Sequence, residues 1–487
     1  MARYINLENS LELREINPWC WEIPKTGSML VPGRVFADRN LVKIAAQEKA
    51  LEQVSNVACL PGIVTASLAM PDIHWGYGFA IGGVAAFRMD EGIISPGGVG
   101  YDIACGVRLI RSNLNIHDVR DSVPDLVREL SRMIPAGVGR GGDVKLNHRE
   151  MDLLITKGVP WLTGQGYGWP EDLDAMEDGG VFEGADPELL SARARERGFS
   201  QSGTLGAGNH FIEVQRVEKI FDQKAASAFG IFEDQLCLMV HSGSRGLGHQ
   251  ICTEYVKKMG GVAARAGINL PDRQLACAPI NSREGREYYA TMACAVNFAR
   301  ANRQVMTHLV RQSFEYIFKL SAEDLGLNLV YDISHNIARF EEHEVGGEML
   351  KLCVHRKGAT RSLPAGHPDV PHIYRAAGQP VIVPGDMGTA SYLLKGTERA
   401  LAESFGSTCH GAGRVLGRRA AKKLIQGHEL KTRLEKQGIT VMAGRPSTLA
   451  EEAPEAYKDI DNVVKVCHKA GLSEKVARFT PLGVIKG

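Results

Sequence analysis

The feature that most constrains this fold is a set of five potential metal ligands from four distant parts of the chain. Each histidine lies beside serine or asparagine, and Asp102 and Cys105 lie three residues apart in a glycine-rich run. Carboxylate, thiolate and imidazole groups can all bind one metal centre. A fold that serves such a centre must bring these segments together. The set comprises Asp102, Cys105, His210, His241 and His335.

Taken singly, a cysteine is more often a buried apolar thiol, and a histidine is more often a satisfied core or surface residue. Five ligands exceed the four of a closed structural zinc site, whereas two ions that share Cys105 would use all five. The thiolate favours zinc, while the carboxylate and imidazoles also admit manganese or iron. The residues alone leave the identity of the metal open.

His410 is a candidate nucleophile because glycine follows it and Arg414 lies four residues further on. Imidazole can form a covalent intermediate, and guanidinium can bind phosphate oxygens in a fork. The alternative is a turn before a helix. The glycine-rich loop 384–392 can offer backbone N–H groups to a phosphate, although many such loops only turn. The basic segment 355–361 indicates either phosphate contact or a solvated loop.

Composition excludes several classes of protein. The 487 residues are 44% hydrophobic and 23% charged, which argues against global disorder. A formal net charge of +1 means that any nucleic acid would bind a local basic surface. The ten cysteines contain no C-x-x-C pair, and Met1–Asn6 has no apolar signal segment, so we expect a reduced, cytoplasmic protein without membrane spans.

Short apolar runs that predict buried strands alternate with helical patterns, such as those at 119–134 and 284–318. The predicted strands cover 84–87, 107–110, 236–240, 329–331, 352–354 and 381–383. We expect a mixed α/β fold with a sheet core surrounded by helices. No linker divides the motifs, so residues 1–487 are predicted to form one catalytic domain. The polar stretch 137–202 is predicted to be a peripheral insertion or lid.

Together these motifs resemble the RtcB RNA ligases over nearly the whole chain and in the same order. The matching segments are 71–83, the Cys105 run, 206–210, 241–248, 334–338, 355–361, 384–392, 410–414 and 484–487. The resemblance implies a single α/β domain with a β-sandwich-like core. It also implies a GTP- and Mn²⁺-dependent enzyme that joins 2′,3′-cyclic phosphate or 3′-phosphate RNA ends to 5′-hydroxyl ends, in tRNA splicing or RNA repair.

By the same resemblance, Asp102, Cys105 and His210 would bind one Mn²⁺, and Cys105, His241 and His335 the other. His410 would be the catalytic residue that takes GMP as a phosphoramidate. The residues expected to bind the guanylate, some of them shared with the metal set, are Asn209, His210, Phe211, Glu213, His335, Asn336, Pro384, Gly385, Asp386, Met387, Ser391, His410, Gly411, Ala412, Gly413, Tyr457 and Lys486. Those expected to contact RNA or phosphate are Arg245, Arg356, Lys357, Arg361 and Arg414.

Lys486 is the least obvious member of this set, because a lysine one residue from a chain end is normally frayed. Two other functions compete with ligation. A dinuclear-metal phosphodiesterase that only opens cyclic phosphates would need neither His410 nor Lys486. A GTP-binding RNA-end chaperone would not need five metal ligands. The expected partners are RNA and, as for some relatives, an archease-type activator.

Overall fold

The computed structural model describes residues 4–6, 12–137, 139–142, 144–444 and 446–487, with the backbone alone for 4–6 and 446–447. Within these ranges the strands, numbered β1–β20 in chain order, are Tyr4–Asn6, Glu12–Asn17, Cys20–Ile23, Gly33–Phe36, Ser67–His74, Ile81–Arg88, Ile93–Ile94, Gly106–Asn115, Phe211–Ile220, Gln235–Ser242, Ala278–Pro279, Asn328–Ser334, Asn336–Val345, Glu348–Lys357, Ala359–Arg361, Pro380–Val383, Ser391–Lys395, Ser407–Cys409, Thr440–Ala443 and Glu474–Lys486.

Two eight-stranded sheets form the centre of the molecule. The first has the order β1-β2-β3-β4-β5-β6-β14-β13, and the second has the order β12-β8-β10-β9-β20-β17-β16 with β19 paired to β20. The pairs β4/β5 and β19/β20 are parallel, and the other pairs in both sheets are antiparallel. The short pairs β7/β11 and β15/β18 lie outside the two sheets.

The α-helices of the described residues surround these sheets. Numbered α1–α15, they are Arg39–Gln47, Ala50–Val57, Pro96–Val99, Ile116–Val119, Val123–Met133, His148–Gly164, Ala192–Gly198, Gln223–Phe229, Arg245–Arg265, Arg283–Phe318, Glu398–Ser404, Arg418–Leu424, Gly427–Lys436, Pro446–Glu451 and Ile460–Ala470.

Three clusters of buried apolar side chains hold the layers together. One joins the second sheet to α5, a second joins residues of both sheets to α1, α2 and α15, and a third lies among α6, α9 and α10. Because the second cluster contains Val84 of the first sheet and Val383 of the second, the sheets share a core as in a sandwich. Burial at about 25 cal/mol per Å² makes such clusters the main stabilising term.

The predicted fold class is confirmed, because two sheets form a mixed α/β core that helices surround. All six predicted strand segments lie within strands, and the predicted helices correspond to α5 and α10. No helix of the described residues is both long and apolar enough to span a bilayer.

The predicted insertion 137–202 includes Val138 and Asp143, which lie outside the described residues. Its helix α6 packs on α10 through buried apolar residues such as Leu154 and Ile155. Its role as a lid and the single-domain boundary 1–487 stay predictions.

Candidate active site

The four segments that carry the predicted metal ligands meet at the ends of four neighbouring strands of the second sheet. Cys105 and His210 directly precede β8 and β9, His241 is the penultimate residue of β10, and His335 directly follows β12. The strands β12, β8, β10 and β9 are consecutive neighbours and run antiparallel. The starts of β8 and β9 therefore lie beside the ends of β10 and β12, which places the ligand segments side by side.

The five side chains form two groups that share Cys105. In the first group, Asp102 Oδ2 lies 2.7 Å from His210 Nε2, which lies 3.3 Å from Cys105 Sγ. In the second, Cys105 Sγ lies 3.2 Å from His241 Nε2, which lies 3.3 Å from His335 Nε2. Within each group the donor atoms all lie within 4.8 Å of one another.

These donor sets fit two metal ions. Separations of 3.2–3.3 Å are those of donors that bind a common ion at about 2.0–2.3 Å. His210 Nδ1 donates to the carbonyl of Leu205 at 3.0 Å, which leaves the lone pair of Nε2 for a metal. Burial, followed by the charge of Asp102, raises the pKa of Cys105 well above its usual value. A metal ion would replace the thiol proton.

Glycine makes this close approach possible at two positions. A Cβ on Gly243 would lie 2.4 Å from Asp102 Oδ1, so a side chain there would displace the carboxylate. Gly206 has φ +99° and lies against His210 Nδ1, where a Cβ would come within 2.4 Å of the ring. Glycine adopts the positive φ of Gly206 without the steric cost that other residues incur.

His410 is held by Asp72, a fully buried residue of β5. Its Nδ1 lies 2.6 Å from Asp72 Oδ2, which also accepts from the backbone N–H groups of His410 at 3.0 Å and Gly411 at 3.3 Å. Burial opposes ionisation of Asp72, but the charge and hydrogen bonds of His410 outweigh it and lower the pKa of Asp72. A proton held on Nδ1 leaves Nε2 free as a nucleophile.

A cavity of about 350 Å³ joins His410 to the ligand cluster, and the rings of His335 and His410 lie 4.8 Å apart. This volume is within the usual range for a small-molecule site. The cavity wall includes most of the predicted guanylate residues. They are Asn209, Phe211, His335, Asn336, Pro384, Gly385, Asp386, Met387, His410, Gly411, Ala412, Gly413, Tyr457 and Lys486.

Lys486 is an ordered cavity residue rather than part of a frayed end. It is the last residue of β20, where it pairs with Phe211 of β9 and with Ala443 of β19. Its ammonium donates to the carbonyl of Gly208 at 3.1 Å and lies 5.5 Å from the centre of the Phe211 ring. Burial lowers the pKa of Lys486.

Glu213 and Ser391 lie behind the cavity wall. Gln215 Nε2 donates to Glu213 Oε2 at 2.6 Å and to Ser391 Oγ at 3.1 Å, and Ser391 Oγ accepts from the N–H of Gly385 at 3.2 Å. This chain of hydrogen bonds connects β9 to the loop that follows β16. Burial raises the pKa of Glu213 to about 8, so its carboxyl group is largely protonated at neutral pH.

Two of the five predicted phosphate-contact residues are buried and already paired, and their phosphate role stays a prediction. Arg356 and Arg361 are buried in the interior, where Arg356 forms a two-pronged ion pair with Glu341 and Arg361 pairs with Glu177. The sequence shows three cations in seven residues, but the end of β14 and all of β15 are buried, so these two side chains lie in the core. A phosphate would have to compete with buried carboxylates to reach them.

The other three predicted phosphate residues lie at or beside the cavity. Arg414 lines it and donates to Glu452 at 3.1 Å and to the Tyr457 hydroxyl at 3.0 Å. Lys357 also lines it, and its ammonium donates to backbone carbonyls of the segment 77–79. Arg245 donates to Thr204 Oγ1 at 3.1 Å and lies near Asp102.

Asp72 and Glu452 are among the residues at the site that sequence reasoning did not assign. Asp72 lies in the segment 71–83, but its role depends on contact with a histidine 338 positions away. Glu452 lines the cavity and pairs with Arg414 from a segment with no recognisable motif. The pattern of local residues carries no signal for either contact.

Comparison with known proteins identifies the family of this chain. The family model described as tRNA-splicing ligase RtcB matches residues 53–487. The chain is 53% identical to the tRNA-splicing ligase RtcB of Archaeoglobus fulgidus, over 98% of this chain and 99% of that protein. It is 52% identical to that of Thermococcus kodakarensis, over 99% and 100%, and 53% identical to that of Methanococcus maripaludis, over 94% and 95%. The chain therefore belongs to the RtcB family of tRNA-splicing ligases.

Proposed function

We propose that this chain is an RNA ligase that uses GTP and two Mn²⁺ ions to join a 2′,3′-cyclic phosphate or 3′-phosphate end to a 5′-hydroxyl end. The relatives carry the name tRNA-splicing ligase, which supports RNA as the substrate. The observation that carries the proposal is the contact between His410 Nδ1 and buried Asp72 at the wall of a cavity that also contains the ligand cluster. Hydrolysis of a cyclic phosphate by metal-activated water requires no histidine nucleophile, and binding alone requires none either.

In the proposed first step, His410 Nε2 attacks the α-phosphorus of GTP. An N–P bond forms, the bond to the β-phosphate oxygen breaks, and pyrophosphate leaves. Asp72 keeps the ring oriented and balances its positive charge while the bond forms. The guanine would lie among Phe211, Tyr457 and Lys486, where an aromatic face and an ammonium donor are available.

In the second step, an oxygen of the RNA 3′-phosphate attacks the same phosphorus and the N–P bond breaks. His410 recovers its lone pair, and the RNA end carries GMP through a pyrophosphate link. The 5′-hydroxyl oxygen then attacks the RNA 3′-phosphorus, its proton is released, and GMP leaves. A cyclic end must first be hydrolysed to a 3′-phosphate.

Asp102, Cys105 and His210 would hold one Mn²⁺, and Cys105, His241 and His335 the other. The bound ions would stabilise negative charge on the phosphate oxygens in each transfer. A thiolate ligand is softer than Mn²⁺ usually prefers, so the choice of manganese rests on the family resemblance rather than on the donors. Arg414 would bind phosphate oxygens in exchange for its present contact with Glu452.

The test is to incubate the protein with Mn²⁺ and α-labelled GTP and then to measure protein-bound label. We expect a label that is lost in acid and kept in alkali, as for a phosphoramidate. A protein that opens cyclic phosphates but takes no label would be a phosphodiesterase. A protein that binds GTP with neither reaction would be a binding protein, and either result would refute the proposal.

A further inference from the structure

Two consecutive residues of α10, Asn302 and Arg303, lie fully buried behind the ligand cluster. Arg303 Nη1 donates to the carbonyls of Ala104 and Ser242, each at 2.9 Å. These carbonyls belong to the residue before Cys105 and the residue after His241. The guanidinium therefore bonds to the Cys105 segment and the His241 segment from the side of α10.

The other side of the same guanidinium binds the strand that leads to a third ligand. Arg303 Nε and Nη2 donate to Asp332 at 2.8 and 2.7 Å, and Asp332 lies on β12 three residues before His335. Arg108 also donates to Asp332, at 2.7 Å. Charge-assisted bonds of this fork geometry are among the stronger hydrogen bonds in proteins. One arginine thus contacts three of the four ligand segments.

Asn302 fixes the remaining segment, which carries His210. Its Nδ2 donates to the carbonyls of Thr204 at 3.1 Å and Gly243 at 3.2 Å, and its Oδ1 accepts from the N–H of Thr204 at 3.0 Å. Thr204 adjoins Leu205, whose carbonyl accepts from His210 Nδ1. The Asn302 side chain therefore sets the position of the acceptor that orients the His210 ring.

The backbone at Ala104 shows why such support is needed. Ala104 has φ +52°, a left-handed conformation that costs a non-glycine residue about 1 kcal/mol or more. Its N–H donates to the carbonyl of Asn336 at 2.7 Å, while its carbonyl accepts from Arg303. This strained turn presents Cys105, and the bonds on both sides of Ala104 hold it in place.

We propose that Asn302 and Arg303 are positioning residues for the two metal ions, since together they fix all four ligand segments without binding a metal themselves. The inference rests on the metal site of the proposed function. It makes α10 the element that decides metal affinity, although none of the proposed ligands lies on that helix.

The test uses Arg303→Lys in the full chain, with MnCl₂ as the probe. Lysine keeps the positive charge but cannot make the four hydrogen bonds of the guanidinium. We expect Mn²⁺ affinity to fall by about 10- to 100-fold, the usual loss when an outer partner of a metal ligand is removed. Free Mn²⁺ is measured by electron paramagnetic resonance, which requires no RNA or GTP.

Arg311→Lys is the matched control. Arg311 lies on the same helix, is also buried, and makes a two-pronged ion pair with Asp172 and a bond to the carbonyl of Leu327. It contacts none of the ligand segments. We expect Arg311→Lys to lower thermal stability while it keeps the Mn²⁺ affinity of the wild type.

Asn302→Ala is the second variant, and it decides the matter if Arg303→Lys does not fold. We expect it to weaken chiefly the ion that Asp102, Cys105 and His210 would hold. Wild-type Mn²⁺ affinity in the folded variants would overturn the inference, as would an equal loss in Arg311→Lys. A wild-type protein that binds no Mn²⁺ would instead refute the metal site of the proposed function.

Discussion

The cavity has two halves that are built in different ways, the proposed metal half and the proposed nucleotide half. The metal half is made from the ends of four neighbouring strands of one sheet, with α10 behind them. The nucleotide half is made from the loop 384–387, the turn 410–414, Tyr457 and the end of β20. In the first half one helix bonds to every ligand segment. In the second half several elements provide the contacts, since Asp72 holds His410, Gln215 bonds to Ser391, and Glu452 pairs with Arg414.

This difference suggests how the two halves respond to change. Because the ligand segments share one hydrogen-bond network, replacement of one shared residue should displace several ligand side chains together and weaken metal binding. In the nucleotide half, a substitution should remove one contact and have little effect on the metal half. The predictions below test this contrast.

The largest expected effect is that of His410→Ala. The variant should take no label from GTP and should not ligate, because the nucleophile is gone. Both Mn²⁺ ions should still bind, because His410 belongs to neither ligand group. Labelling and metal content measured on the same sample check this prediction. A normal label would remove His410 from the mechanism, and loss of both ions would contradict the separation of the halves.

Cys105→Ala should act on the metal half instead. Because Cys105 belongs to both ligand groups, the variant should lose both Mn²⁺ ions, whereas His335→Ala should lose only one. Metal analysis after dialysis distinguishes the two variants. Equal occupancy in wild type and Cys105→Ala would make the cysteine a core residue only.

Asp72→Asn should slow GMP attachment on the order of 10⁴-fold, by analogy with removal of the carboxylate that orients a catalytic histidine. The amide keeps the size of the side chain but loses the charge that His410 faces. GTP binding and metal content should remain near wild type. Single-turnover labelling measures the rate, and an unchanged rate would show that Asp72 only stabilises the fold.

Lys486→Met should lower GTP affinity by about 10- to 100-fold, because a hydrogen bond from a charged donor contributes about 1.5–3 kcal/mol. Methionine fills similar space in the strand, so β20 should keep its pairing. Binding of GTP is measured by calorimetry, with ATP as the comparison nucleotide. Unchanged affinity would place the guanine elsewhere in the cavity.

The last prediction concerns the stability of the fold rather than reaction with GTP, and it is the pH dependence contributed by Glu213. Burial raises its pKa to about 8 in the folded protein, from 4.5 when exposed. The folded state therefore holds the proton more tightly, and this stabilisation is lost as pH rises from about 4.5 to 8. Relative to Glu213→Gln, the wild type should lose free energy of unfolding across this range. Parallel urea titrations at several pH values measure it, and a constant difference would contradict the prediction.

Local sequence was sufficient to identify several parts of this molecule. Apolar runs correctly predicted strands such as β10, because side-chain burial follows hydrophobicity. The glycine-rich turns around Cys105 and His210 pointed to the segments that the structure brings together. The same local pattern did not predict the burial of Arg356 and Arg361, since a basic run does not show which side chains have buried carboxylate partners.

The sequence by itself determined which residues carry reactive chemistry and which segments become strands, because both depend on side-chain type and spacing. The tertiary structure alone decided that Asp72 faces His410, that β20 ends beside Phe211, and that Arg303 supports the ligand segments. These contacts join residues that lie far apart along the chain. They arise from the order and direction of strands in the sheets and from the packing of α10, which short-range patterns do not encode.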